Sequence, residues 1–184
     1  MSVELALDPT ARAVARVGLA ALFAAALGHK LRDRAAFRAA LTGYRLLPDP
    51  LIGTAAVGLM ACEAAIALAL AIPTTGALPA FGAAVLLALY AGAIAINLAR
   101  GRRNIDCGCF GPAAGRELGG ALVARNAVLA VVALGAALPA AARTWIWLDA
   151  VTGPAALVAG IALYAAADTA LANAPRLRPL VKTP

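Results

Sequence analysis

The sequence is poor in charge, because only 14% of its 184 residues are Asp, Glu, Lys or Arg. Soluble domains carry about 25% charged and about 45–50% apolar residues, whereas this chain is 63% hydrophobic. So few charges exclude an ordinary water-facing surface and indicate an integral membrane protein. Aromatic residues are also scarce, at 5%, so the net charge of +7 does not indicate a nucleic-acid partner.

Long apolar runs predict an all-α bundle of four to five transmembrane helices, since about 20 residues cross the hydrocarbon core. Four segments are long enough to span, namely Leu51–Ile72, Leu78–Ala99, Leu118–Leu138 and Gly153–Leu171. The first run, Val17–Gly28, has no charge and is shorter. We interpret it as a retained helix, with a cleaved signal peptide as the alternative.

The polar segments divide the chain further. Residues 29–50 are basic and predict an amphipathic segment in the membrane interface after the first helix. The apolar side of this segment is expected to comprise Leu31, Phe37, Leu41 and Tyr44. Residues 173–184 are basic and rich in proline, which predicts an irregular tail after a transmembrane domain of residues 1–172.

The basic residues are distributed asymmetrically. Twelve of the 16 Lys and Arg residues, Lys30 among them, follow the first, third and fifth spans. The positive-inside rule places these regions in the cytoplasm and the N-terminus outside. We therefore expect a multi-pass protein of the plasma membrane, with the lipid bilayer as its principal surroundings.

A cysteine pair follows the third span, in the loop motif Cys107-Gly108-Cys109-Phe110-Gly111. A disulfide needs Cα atoms about 4.4–6.8 Å apart, which residues two apart can meet, and the central glycine permits unusual dihedrals. Strained disulfides are easily reduced. The motif therefore indicates thiol–disulfide exchange.

Two other interpretations of the cysteine pair remain open. The pair is either without a chemical role or a ligand of copper or zinc. Metal sites usually need further ligands, and the other soft side chains are Cys62 and His29. We expect Cys62 to be packed and inert within the second span and His29 to be solvated, and hence no metal site.

An acidic residue, Glu63, lies near the middle of the second span. Ionisable groups inside the membrane are costly and usually face the bundle interior. The hypothesis is that Glu63 carries protons for thiol exchange; a helix-packing contact is the alternative. Glu63 is either neutral or paired with Arg125 of the fourth span, although Arg125 lies nearer the loop end. Asn97 and Asn126 are expected to make packing contacts.

The chain resembles the MauE branch of the MauE/DoxX family of small membrane proteins. The third-helix-to-cysteine block is the most specific part, and the other marks support it. These marks are Lys30-Leu31, Asp33, Phe37, Leu41, Tyr44, Leu46-Leu47-Pro48, Glu63, Asn97-Leu98, Arg100-Gly101-Arg102, Cys107-Gly108-Cys109-Phe110-Gly111 and Arg125-Asn126.

The resemblance implies a redox-associated bundle that supports maturation of disulfide-containing exported proteins. In methylamine utilisation the client would be the disulfide-rich beta subunit of methylamine dehydrogenase, and other exported thiol proteins are the alternative. The resemblance also implies an exported thioredoxin-like partner, a disulfide-containing client, and Cys107 and Cys109 as the exchanging thiols. The chain would then be a component of a thiol–disulfide oxidoreductase. A non-catalytic scaffold and a metal-handling membrane protein are the alternatives.

No nucleotide-binding, haem or quinone signature occurs in the sequence, and we expect no cofactor. One conflict remains between the charge rule and the implied function. The charge rule places the thiols in the cytoplasm, whereas exported disulfides mature outside. An electron relay across the membrane, a re-entrant loop or a miscounted span would each resolve it.

Overall fold

The computed structural model describes residues 6–102 and 118–181, and this part of the chain is all helical, as predicted. One isolated bridge, between Leu7 and Ala140, is the only β-type pairing within these residues. The elements are α1 (Pro9–Arg32), α2 (Arg34–Tyr44), α3 (Asp49–Ala71), a 3-10 helix (Pro73–Thr75), α4 (Leu78–Ala99), α5 (Gly120–Ala137) and α6 (Trp147–Val181).

Five of the helices in the described ranges are long and apolar enough to cross a membrane. They are α1, α3, α4, α5 and the part of α6 from Trp147 to Ala170. The boundaries of α4 are those predicted from the sequence, and those of α3 and α5 differ from the prediction by at most two residues. The prediction of a bundle of membrane-length helices is confirmed.

The first helix is longer than its charge-free run because strong signals begin it early. Asp8 caps α1 by accepting hydrogen bonds from the backbone N–H groups of Thr10 and Ala11, at 2.8 and 3.2 Å. Pro9 follows the cap, where its missing N–H costs nothing. The helix therefore extends over 24 residues and includes two buried cations, Arg16 and Lys30.

The last helix also exceeds its prediction. It begins at Trp147 rather than Gly153, and its backbone continues to Val181. Residues 173–181 are thus helical where an irregular tail was expected. The division of the chain at residue 172 stays a prediction.

Helix α2 occupies part of the segment predicted to lie in the interface. It buries Phe37, Ala40 and Tyr44, and it packs on α3 and α1. Leu31, expected on the same apolar side, belongs to α1 and is 45% exposed, so that expectation was wrong. A position for α2 in the membrane interface stays a prediction.

The bundle packs around α1, which contacts α3, α5 and α6. An apolar core lies where α1, α3, α4 and α5 meet, and about half of its members are alanines that allow close approach of the helices. Helices α3 and α4 are consecutive in the chain but contact each other sparingly. Their divergence leaves a groove between them.

The helices alternate in direction, so that the connecting segments fall at two ends of the bundle. At one end, Arg102 after α4 donates to the carbonyl of Tyr44 at the end of α2, over 3.4 Å. At the other end, Leu7 before α1 pairs with Ala140 after α5. The predicted grouping of segments therefore agrees with the fold, while the assignment of one end to the cytoplasm stays a prediction.

Candidate functional site

A buried charged cluster lies where α1, α3 and α4 meet. Lys30 is 3% exposed and Glu63 is 0% exposed. The Lys30 ammonium donates a hydrogen bond to Glu63 Oε1, and the Tyr90 hydroxyl donates to the same oxygen over 2.7 Å. Lys30 Nζ also approaches the Tyr90 hydroxyl to 3.4 Å. Opposite charges therefore offset each other at a buried site.

The position of Lys30 in its helix explains how its charge reaches the bundle interior. It lies in the last turn of α1, and helical side chains point back toward the N-terminus of their helix. Its ammonium also lies 5.0 Å from the ring centre of Phe37 and 5.1 Å from that of Tyr90. Both distances allow cation–π attraction.

Glu63 forms its ion pair with Lys30 and not with Arg125, so the pairing with Arg125 that the sequence left open is not observed. Arg125 Nη1 instead donates to Asp168 Oδ1 of α6, over 2.8 Å. Glu63 takes its cation from Lys30, which the sequence had suggested only as a loop charge. The helix arrangement decides this, because α1 packs closely against α3.

A small cavity of about 20 Å³, lined by both apolar and polar side chains, adjoins the cluster. Glu63 Oε2 has no hydrogen-bond partner among the described residues. A cavity holds one water when it offers roughly 10–15 Å³ and polar partners, so this one is large enough. The polar side chains that line it are Lys30, Glu63, Tyr90, Arg125, Asn126 and Tyr164.

A much larger groove opens on the other side of the cluster, between α2, α3 and α4. Its volume is about 830 Å³ and its walls are almost entirely apolar. Lys30 and Tyr90 line both this groove and the small cavity. The two side chains therefore lie between the groove and the small cavity.

Three residues of the block that precedes the cysteines, Asn97, Arg100 and Arg102, make contacts at the start of the cysteine segment. Asn97 is fully buried, and its Oδ1 accepts from Arg102 Nη1 over 3.3 Å. Arg102 also donates to the carbonyl of Tyr44, and Leu118 belongs to the same buried apolar cluster as Tyr44. Arg100 approaches the carbonyl that follows α2 to 3.5 Å. The described residues on either side of the segment thus converge on the end of α2.

The cysteine motif itself, Cys107-Gly108-Cys109-Phe110-Gly111, lies outside the described residues. Cys62 is exposed on α3, so the expectation that it is packed was wrong. His29 is half-buried beside Lys30. Residues 6–102 and 118–181 contain no group of three side chains arranged to hold a metal ion.

Asn126 lies beside the cavity. Its Nδ2 donates to the carbonyl of Leu122, one turn earlier in α5, over 2.9 Å. Asn126 is 3% exposed. Asn126 therefore lines the cavity while its amide nitrogen bonds within its own helix.

Arg16 is the second buried cation of α1, and it lies at the other end of that helix. Its guanidinium donates to the carbonyls of Gly76 and Ile72, over 2.6 and 3.1 Å. It also donates to the Thr75 hydroxyl over 2.7 Å and to the carbonyl of Ala69 over 3.3 Å. Arg16 thereby supplies partners to backbone oxygens at the α3–α4 turn.

An ionic cluster at the same end joins the starts of α1 and α6. Arg143 bonds to Asp8 and Asp149, each over 2.7 Å, and Thr10 donates to Asp149 over 2.7 Å. The hydrogen bonds to Asp149 and Asp8 raise the pKa of Arg143. The hydrogen bond from Arg143 lowers the pKa of Asp8. These groups therefore stay charged at neutral pH.

Comparison with known proteins gives the family. The model of the family described as "Methylamine utilisation protein MauE" matches residues 9–142. The chain belongs to the MauE family. The resemblance on which the sequence interpretation rested is confirmed.

Curated MauE relatives match over most of their length. The methylamine utilization protein MauE of Paracoccus versutus is 41% identical over 85% of this chain and 83% of its own. Those of Paracoccus denitrificans and Methylorubrum extorquens are 42% and 38% identical, over 68% and 74% of this chain and 69% and 74% of their own. No solved structure gives a significant match.

The MauE match includes α1 to α5 and therefore all three residues of the buried cluster. Two of them, Lys30 and Tyr90, were missed as site residues. A lysine at a span boundary looks like a topology signal, and a tyrosine within an apolar run looks like core. The length of α1, set by the Asp8-Pro9 start signal, could have shown that Lys30 lies inside the helix.

Proposed function

We propose that the chain is a membrane thiol–disulfide redox component that acts in methylamine utilisation. Cys107 and Cys109 exchange electrons with an exported thioredoxin-like partner and so support maturation of a disulfide-containing client. The beta subunit of methylamine dehydrogenase is the client we favour. The cysteine motif supports the redox part, and the names of the MauE relatives support the methylamine context.

One observation carries the proposal furthest. The described residues before and after the thiol segment, Arg102 and Leu118, both associate with Tyr44, which lines the large groove. The segment therefore leaves and rejoins the bundle at one place. Both described ends of the segment therefore lie beside the groove that Tyr44 lines.

The buried cluster supplies the proton chemistry that thiol exchange needs. Oxidation of two thiols to a disulfide releases two protons along with two electrons. Glu63 Oε1 is held by Lys30 and Tyr90, while Oε2 faces the water-sized cavity. In this proposal Glu63 carries the proton, and Lys30 and Tyr90 position its carboxylate.

Growth on methylamine tests the function. A host that lacks its own MauE protein is complemented with the wild-type chain, Cys107→Ser, Cys109→Ser or Cys62→Ser. We expect growth with the wild type and with Cys62→Ser, which serves as the matched thiol control, and no growth with either of the other two. Immunoblots of membranes establish equal amounts of protein.

Growth with both serine variants at wild-type rates would contradict the redox proposal. That outcome would favour a scaffold that recruits its partner without exchanging electrons. Trapping a mixed disulfide distinguishes the two directly. A chain that retains Cys107 alone should hold the thioredoxin-like partner covalently, and the covalent adduct should disappear on reduction.

The sidedness of the thiol pair is tested separately. A membrane-impermeant maleimide is added to intact and permeabilised cells that carry the Cys62→Ser chain, so that only the pair reports. Direct exchange with an exported partner requires labelling in intact cells after mild reduction. Labelling only after permeabilisation contradicts direct exchange with the exported partner and leaves an electron relay across the membrane or the scaffold function.

A further inference from the structure

The groove between α2, α3 and α4 has the size and lining of a small-molecule site. Its volume of about 830 Å³ lies within the usual range of roughly 300–1,000 Å³ for ligand pockets. We propose that this groove binds a lipid-soluble quinone, which accepts the electrons of the thiol pair. The redox role rests on the proposed function above, whereas the binding itself does not.

The depth of the polar end favours a quinone over a phospholipid. At about 1.5 Å of rise per residue, Glu63 lies roughly 12 Å from the Ala71 end of α3. By the same measure Tyr90 lies roughly 13 Å from the Ala99 end of α4, which is at the opposite end of the bundle. The two side chains therefore lie well inside the hydrocarbon core from either end. A phosphate headgroup would have to enter hydrocarbon, where charge is costly. A quinone head is neutral and moves within the core.

The charge of the cluster favours a neutral acceptor. Glu63 already offsets the charge of Lys30, so an anionic ligand would leave one negative charge in excess. The lysine ammonium has three hydrogens and two hydrogen-bond acceptors among the described residues, Glu63 Oε1 and the Tyr90 hydroxyl. A quinone carbonyl oxygen fits the remaining hydrogen.

The groove and the small cavity together account for the protons. Two thiols lose two electrons and two protons to become a disulfide, and the quinone gains both to become a quinol. Lys30 and Tyr90 line the groove and also touch the carboxylate of Glu63, whose other oxygen faces the small cavity. A proton can therefore pass from the cavity through this cluster to the quinone oxygen.

A second groove provides a control within the same molecule. It lies between α1, α5 and α6 and has a volume of about 480 Å³. Its lining is apolar apart from the Tyr164 side chain, and it contains no lysine, arginine or acid. Acyl chains can fill either groove, but only the first places a buried cation and hydroxyl at its inner end.

Glycines allow each groove to be filled selectively. Gly58 of α3 and Gly92 of α4 line the first groove, and Gly160 of α6 lines the second. A Cβ added at any of the three meets no atom within 4 Å, so a leucine fits the backbone. Leucine also favours a helix more than glycine does, so these variants should fold.

The experiment measures binding of radiolabelled decylubiquinone to the full-length chain in phospholipid nanodiscs. We expect saturable binding of about one quinone per chain, at least tenfold weaker in Gly92→Leu and in Gly58→Leu, and unchanged in Gly160→Leu. Lys30→Met should weaken binding about tenfold through loss of one hydrogen bond from a charged donor.

The inference is overturned if binding only matches partition into empty nanodiscs, or if Gly160→Leu lowers it as much as Gly92→Leu. It is also overturned if mass spectrometry finds a phospholipid that is held by the wild type and displaced in Gly92→Leu. The chain with Cys107→Ser and Cys109→Ser should bind decylubiquinone normally but not reduce it.

Failure of the two proposals can be told apart. If decylubiquinone binds while both serine variants grow on methylamine, the thiol function fails and the quinone site stands. If growth needs the thiols but no saturable binding occurs, the quinone site fails and the thiol function stands.

Discussion

Helix α1 carries one buried cation near each end, and the two are used differently. Arg16 donates to three carbonyls and one hydroxyl of the α3–α4 turn region, at 2.6–3.3 Å. Lys30 pairs with Glu63, whose second carboxylate oxygen has no partner in the described part of the chain. Arg16 therefore has its hydrogen bonds within the α3–α4 turn region. The Lys30 cluster still has a carboxylate oxygen, Glu63 Oε2, that can accept a hydrogen bond.

This difference indicates that Arg16 stabilises the fold and that the Lys30 cluster serves the function. Arg16 resembles a cap, because its fork of donors satisfies carbonyls that would otherwise lack partners inside a membrane protein. The Lys30 cluster lies between an apolar groove and a water-sized cavity. Its open carboxylate oxygen is costly unless something binds there, which is typical of a working site.

The largest effect is expected from Glu63→Gln. This change removes the proton-carrying group, and general acid–base groups contribute about 10²–10⁴ in rate. Methylamine-dependent growth should fail and thiol oxidation in nanodiscs should slow at least about a hundredfold. Asp168→Asn, which removes an acid from the Arg125 pair, serves as the control and should retain activity.

If Glu63→Gln oxidises thiols at the wild-type rate, Glu63 is a packing residue. The Lys30–Glu63 pair would then stabilise the fold, as Arg16 does, and would have no separate function. An equal loss in Asp168→Asn would have the same consequence, because any acid between these helices would then suffice.

The next effect is a loss of stability in Arg16→Met. Each hydrogen bond from a charged donor contributes about 1.5–3 kcal/mol, so thermal or denaturant unfolding in detergent should show destabilisation of at least that amount. Activity per folded molecule should not change. Arg16→Lys keeps the charge but loses the forked arrangement of guanidinium donors. Its stability should therefore lie between that of the wild type and that of Arg16→Met. A stable but inactive Arg16→Met would give this residue a role in function.

A smaller effect is expected from Tyr90→Phe. The change removes the hydroxyl that donates to Glu63 Oε1 over 2.7 Å, and one hydrogen bond contributes about 1 kcal/mol. The rate of thiol oxidation should fall about fivefold while Lys30 still holds the carboxylate. Equal rates in Tyr90→Phe and wild type would remove Tyr90 from the cluster's function.

The smallest effect concerns the exposed pair of Asp8 and Arg143. The pKa of Asp8 is lowered in the folded state, so its contribution to stability is present above its ordinary value of 3.8 and is lost as pH falls through the lower folded value. Unfolding of wild type and Asp8→Asn should therefore differ slightly at neutral pH and converge well below pH 3.8. A difference that grows toward acid pH would contradict this assignment.

The spans could be predicted because hydropathy alone decides where a helix can cross a membrane. The limits of α4 follow from an apolar run bounded by Gly76 and Arg100. The start of α6 was missed because its first turn contains Trp147 and Asp149, which precede the apolar run that begins at Gly153. Single-residue patterns at helix ends are ambiguous in this way.

The candidate site could be predicted only in part. Glu63 stood out because an acid inside a span is costly. Its partner could not be identified, since Lys30 and Arg125 lie at different positions along their helices and the packing of α1 on α3 decides between them. The exposure of Cys62 likewise depends on which face of α3 meets the bundle. The charged residues can be identified from the sequence, whereas their pairing depends on how the helices pack.

The most direct test of the account is the double variant Lys30→Met, Glu63→Leu. Replacing both partners of a buried ion pair by apolar groups of similar size is often neutral or stabilising. We therefore predict a normal amount of folded protein in the membrane, measured by thermal unfolding in detergent, and no growth on methylamine. Wild-type growth with this variant would show that apolar packing can replace the pair and that its charges have no role in function. That result would contradict the account.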